Sequence, residues 1–150
     1  MTTMVGTQNE FHDALYALCE LDYDAVKAYK AAIERLESKE YRKKLTGFMR
    51  DHIRHIENIT SLLTMHQQKA PEGPDLKQYL TQGKVILANL LGDEAILKAM
   101  ISNETDTNTA YERINKQVGK WPEAVAIVRQ GLNDERRHKQ WLEVTVKEYA

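Results

Sequence analysis

A shift of 82 residues lays the second half of this chain over the first, and no other feature restricts its fold as much. The stretch "LDYDAVKAY", ending at Tyr29, falls on "NETDTNTAY", ending at Tyr111, so that Asp22 meets Glu104 and Ala28 meets Ala110. A shift of 83 then takes His52 to Glu135, Arg54 to Arg137, His55 to His138 and Ile59 to Leu142. Self-similarity of this kind describes one structural unit used twice. Each unit holds two segments with apolar residues every three or four positions, the spacing of one helix face. The first stripe is Phe11, Leu15, Leu18, Asp22, Ala25, Tyr29, Ala32 and Leu36; the second is Tyr41, Leu45, Phe48, His52, His55, Ile59, Leu62 and His66. The third carries Leu97, Met100, Glu104, Thr107, Tyr111 and Ile114, and the fourth Val128, Leu132, Glu135, His138, Leu142 and Val146.

The connections set the topology. Thr7 and Glu10 have capping-box spacing, which predicts a helix opening there and running to about Leu36. A short link at Ser38 makes the first two helices antiparallel neighbours. "QQKAPEGP" ends the second, an amphipathic piece from Asp75 to Leu90 stops at Gly92, and a third long helix starts near Asp93. Gly119 is expected to end it, with Pro122 as the first residue of the fourth. The reading is all-α: one domain over residues 1–150, built as two antiparallel hairpins joined by a long crossover that contains a short helix. Four such stripes bury each other as a four-helix bundle. With only seven Gly and three Pro in 150 residues, the composition agrees.

Six polar residues interrupt these stripes at matching levels: Asp22, His52, His55, Glu104, Glu135 and His138. Residues three apart share a helix face, so His52 with His55 and Glu135 with His138 each present two donors to one place. Burying six such groups without partners is costly. Metal ions satisfy them, and carboxylate with imidazole suits iron, manganese or zinc.

This pattern resembles the ferritin-like superfamily, in which helices one and three carry one acid each and helices two and four carry Glu-x-x-His. Asp22, Glu104 and "ERRH" at Glu135–His138 match, as does His55; Tyr29 follows Asp22 by two turns, as in many members. The second half, "GDEAILKAMISNETDTNTAYERI" onward, is also similar to a bacterial family of small ferritin-like bundles of unknown function. The resemblance implies a di-iron-type or mononuclear centre, with iron oxidation or reaction with dioxygen or peroxide as its chemistry. Tyr29, Tyr111 and Asp51 are candidates for a place behind the ligands, with buried packing tyrosines as the alternative reading of the first two. The departure is His52, which stands where the superfamily has a bridging glutamate. Three carboxylates then face two divalent ions with one negative charge too few, which predicts a weaker second ion or a single one. Three histidines also favour zinc, copper or cobalt in vitro.

Other classes find little support. A net charge of −1 gives no field for nucleic acid or anionic membrane, and "YRKK" and "RRHK" are offset by nearby acids. No window of about 18 apolar residues exists, and "MTTMVGTQNEF" lacks a signal-peptide pattern. Lone Cys19 reads as a packed residue in a reducing compartment, and the cytoplasm is the expected location. His66 reads as a helix-end residue, His12, Asp24 and Asp106 as surface groups, and Trp121 and Trp141 as packing residues. The competing function is a metal-free bundle with a structural, stress-associated or interaction role. Iron storage ranks lower, since no fifth helix follows the fourth before Ala150. A mini-ferritin cage ranks low too, because both halves of the site lie in one chain, and a homodimer is the default assembly.

Overall fold

The computed structural model describes residues 2–74 and 91–149. Its four long helices are α1 (Phe11–Arg35), α2 (Lys39–Met65), α3 (Asp93–Asn115) and α4 (Val125–Lys147). They pack against each other as a four-helix bundle, with no strand among the described residues. The short helix expected over Asp75–Leu90 lies outside the described residues.

Helix ends show which local signals operate. Ser38 caps α2, its hydroxyl accepting from the Tyr41 N–H at 3.1 Å, and the carboxylate of Asp93 accepts from the backbone N–H groups of Glu37 and Ser38. The α1–α2 turn is thereby tied to the start of α3. The Thr7–Glu10 capping box does not form. α1 begins at Phe11 with Glu10 making no side-chain cap, and Thr7 lies before the helix, its hydroxyl donating to the Met4 carbonyl. The third helix also stops earlier than expected, at Asn115 rather than Gly119. Two 3-10 turns, Val118–Lys120 and Pro122–Ala124, bridge the gap, so Pro122 opens a 3-10 turn and α4 starts at Val125. α2 ends in a Schellman arrangement: Gln68 N–H donates to Leu63 O, Gln67 N–H donates to Thr64 O, and Gln67 sits at φ 59°.

The tie points give the helix directions. Arg113, near the end of α3, donates to the carbonyls of Thr3 and Val5, close to the start of α1. Tyr149 reaches Tyr41 at the start of α2, while His66 at its end contacts Glu123 before α4. α1 and α3 are therefore antiparallel, and so are α2 and α4. α2 spans roughly 40 Å at 1.5 Å per residue. Its end and the start of α3 lie at opposite ends of the bundle, which accounts for the long crossover.

Two apolar clusters fill the interior. One gathers Phe11, Leu15, Leu18, Ile59, Leu62, Ile114 and Val128, and the other Ala32, Leu45, Phe48, Leu97, Met100 and Leu142. Along each stripe the polar residues fall between these two sets. Buried apolar side chains of this size contribute about 1.5–3 kcal/mol each, so the bundle holds its polar layer between two stable plugs. Among the described residues no helix is long and apolar enough to cross a membrane.

Candidate metal centre

Each helix contributes to the polar layer through its stripe. Asp22, His52, His55, Glu104, Glu135 and His138 are all buried, at most 4% exposed. The structure brings all six together as two overlapping groups of donor atoms, Asp22–His52–His55–Glu135 and His52–Glu104–Glu135–His138. Within each group one atom per residue lies within 4.8 Å of the others. His52 and Glu135, the pair related by the repeat, belong to both.

The imidazoles thread these carboxylates together. His52 Nδ1 is 2.8 Å from Asp22 Oδ1, and its Nε2 is 3.3 Å from Glu104 Oε1. His55 Nδ1 lies 3.3 Å from both Asp22 Oδ1 and Glu135 Oε1. His138 Nδ1 faces Glu104 Oε1 at 3.4 Å and Glu135 Oε2 at 3.6 Å. Tyr111 donates to Asp22 Oδ2 at 2.7 Å, and Tyr29 donates to Glu104 Oε1, so each tyrosine holds the acid of the other half. Thr107 donates to Glu104 or Glu135, with Oγ1 3.0 Å and 2.8 Å from their Oε2 atoms.

The outer nitrogens of two histidines are held from behind. His55 Nε2 donates to Asp134 at 2.9 Å, and His138 Nε2 donates to Asp51 at 2.8 Å. Arg54 and Arg137 each bond both aspartates, closing a four-residue ring of alternating charge. Asp51 thus reaches the ligands through His138, not by replacing His52. Asp134 was not singled out in the sequence, yet its signal was there: the shift of 83 that pairs His52 with Glu135 also pairs Asp51 with Asp134. A carboxylate on the far nitrogen fixes an imidazole's tautomer and turns its inner nitrogen toward a metal.

Electrostatics follow from this packing. Burial disfavours a charged imidazole, but the Glu135 charge and the bonds to Asp22 and Glu104 raise His52 to about 9. Against the same penalty, Asp134 and Asp22 raise His55 to about 12, and Asp51 and Glu104 raise His138 to about 11. Burial pushes the carboxyls up, yet histidine bonds hold Asp22 below its usual range; bonds with Glu135, His138 and His52 hold Glu104 well below its own. Glu135 moves the other way, raised by burial and by the Glu104 charge. Burial and the neighbouring acids keep Tyr29 and Tyr111 well above the usual phenol value, so both remain donors.

Two cluster atoms, Glu135 Oε1 and His138 Nδ1, are buried and make no hydrogen bond. A buried polar atom without a partner costs about 1–3 kcal/mol. Both belong to residues of the groups that can hold a metal, and cations held in those groups would satisfy them. The donor set fits divalent transition metals.

Other expectations resolve as follows. Asp24, expected at the surface, is only 6% exposed, while Asp106 and His12 are half-buried. His66 closes α2, its ring stacked on Trp121 at 3.6 Å. Trp141 packs edge-on against Phe48 and Tyr41. Cys19 is buried, and desolvation with the Asp22 charge pushes its thiol up to about 12, so it stays protonated.

Fold and site together define a four-helix bundle with a buried carboxylate–histidine cluster able to hold a metal ion. The chain belongs to the family described as a domain of unknown function, DUF2383, which matches residues 10–117. That match covers α1 to α3, including Asp22, His52, His55 and Glu104. A comparison with curated proteins finds no match.

Proposed function

We propose that the cluster is a two-ion carboxylate–histidine centre of the ferritin-like type, with iron as its favoured metal and manganese or zinc as substitutes. The observation that carries this is the sharing of His52 and Glu135 by two four-donor groups. Asp22 and His55 serve one ion and Glu104 and His138 the other, with the shared pair between them. Bound iron supplies one-electron redox chemistry toward dioxygen or peroxide, and the favoured activity is ferrous oxidation or peroxide removal.

The chain's own residues prepare that chemistry. Tyr111 and Tyr29 orient Asp22 and Glu104, and Thr107 orients Glu104 or Glu135. The aspartate–arginine ring holds His55 and His138 in one tautomer. Apolar residues on both sides keep bulk water out, which strengthens every charge interaction in the layer.

A second reading is favoured by one observation. Without metal, three acids face three imidazoles whose protonated forms are stabilised, so the layer is charge-balanced as a hydrogen-bonded network. A metal-free bundle with a structural, stress-associated or interaction role would use it so. Metal analysis of the purified protein separates the two. Two ions per chain supports the two-ion centre and one reduces it to a mononuclear site; none after incubation with ferrous iron, manganese or zinc supports the network.

A further inference from the structure

His52 faces both halves of the cluster at once. Its ring centroid lies 5.5 Å from that of His55 and 5.3 Å from that of His138. Nδ1 points to one side, 2.8 Å from Asp22 Oδ1 and 3.4 Å from Glu135 Oε1. Nε2 points to the other, 3.3 Å from Glu104 Oε1. The remaining histidines are built differently. Their outer nitrogens donate to Asp134 and Asp51, so each has one nitrogen left for the interior. Both nitrogens of His52 are directed at carboxylates of the cluster itself.

We propose that His52 binds two metal ions at once, one through each ring nitrogen, as an imidazolate bridge. This rests on the reading of the cluster as a two-ion centre. A neutral imidazole offers one lone pair and keeps one N–H. Starting from the protonated ring of the metal-free network, bridging releases both ring protons to solvent, so both nitrogens donate and the ring carries one negative charge. With Asp22, Glu104 and Glu135 this makes four negative charges against the four positive charges of two divalent ions. His52 is therefore no deficit in the ligand set. It supplies the same charge as the carboxylate it replaces and, like it, two donor atoms, and it does so opposite Glu135, its counterpart in the repeat.

Nitrogen NMR on protein labelled with 15N-histidine and titrated with zinc, a diamagnetic probe, tests this. The chain has five histidines; His12→Gln and His66→Gln remove the two outside the cluster, and His52→Gln identifies the bridge. If that last variant does not fold, His55→Gln and His138→Gln make the assignment by elimination. In the zinc-loaded protein both His52 nitrogens are expected to be metal-bound with no ring N–H. His55 and His138 each keep one protonated nitrogen. His52→Gln should drop from two zinc ions per chain to one, and His52→Glu should retain two. Two bound zinc ions with one protonated His52 nitrogen overturns the bridge alone, whereas a single bound ion in the unaltered protein overturns the two-ion reading and the bridge with it. No zinc-dependent shift of any cluster histidine overturns the two-ion reading and the bridge with it.

Discussion

The two halves of the polar layer carry the same frame with different fittings. In one half Asp22 and His55 are held by Tyr111 and Asp134; in the other Glu104 and His138 are held by Tyr29 and Asp51. Around that frame the repeat diverges. Ala25 and Val26 correspond to Thr107 and Asn108. Thr107 bonds the acids directly, and Asn108 donates to the carbonyls of Glu104 and Glu135 at 2.7 and 3.0 Å. Phe48 corresponds to Gly131. The Phe48 ring lies 4.3 Å from that of His138, whereas Gly131 leaves room for Tyr111: a Cβ there would fall 2.3 Å from its ring. The lesson is that the groups with donor chemistry repeat, while packing and secondary hydrogen bonds are adjusted for each half separately.

The strongest way to break the comparison is to remove what the halves share. Glu135→Ala should take bound metal from two ions per chain to nearly none, while Asp22→Ala should leave one, in the other half. Metal stoichiometry with circular dichroism checks this, and equal losses in both variants would mean the halves are not separable.

Stability against pH is next. The folded values of His52, His138 and His55 stand at about 9, 11 and 12, above the unfolded value near 6.5. In metal-free protein their contribution is full below pH 6.5, declines above it, and is lost through the folded values. Metal binding needs neutral rings and moves the opposite way. From pH 6.5 to 9 the Tm of metal-free protein should fall, and its gap to zinc-loaded protein should widen. A constant gap would remove the histidines from the ligand set.

Asp51→Asn and Asp134→Asn test whether the supports are equivalent. Each should weaken metal binding about 10–100-fold, Asp51→Asn through His138 and Asp134→Asn through His55. Competition with a chelator measures it, and an effect below about twofold in either would make that aspartate a partner of the arginines alone.

The smaller effects sharpen the packing contrast. Gly131→Ala should destabilise by about 1–3 kcal/mol, since the new methyl group meets the Tyr111 ring. At about 2–4 °C of Tm per kcal/mol this is readily measured. Gly47→Ala, in the interior of α2 with nothing within 4 Å of the new Cβ, should instead stabilise by about 0.5–1 kcal/mol. Equal signs for the two substitutions would refute the packing account.

How far the molecule could be read in advance depended on whether a feature is periodic. The four helices, their hairpin pairing and the six polar stripe residues are periodic, because a helix face recurs every 3.6 residues and a repeat recurs at its own length. Burial of all six residues followed from that. Helix ends were less legible: Thr7 and Glu10 have the right spacing for a box, but the helix starts at Phe11, beyond both of them. Asp24 lies off the stripe yet is only 6% exposed, so distance from the stripe does not by itself place a residue at the surface.

By itself, the sequence determined that the chain forms paired helices and which side chains share a level in their core. Tertiary structure alone decided what those side chains do to each other. Asp134 becomes a support because His55 lies 2.9 Å away on another helix, and Gly131 matters because a tyrosine from α3 fills its space. In the sequence His52 counts as a missing charge, whereas its geometry sets one nitrogen toward each half. Periodicity specifies the face of a helix within one segment. Contact distances and ring orientations arise only when four such faces are brought together, and no single segment encodes them.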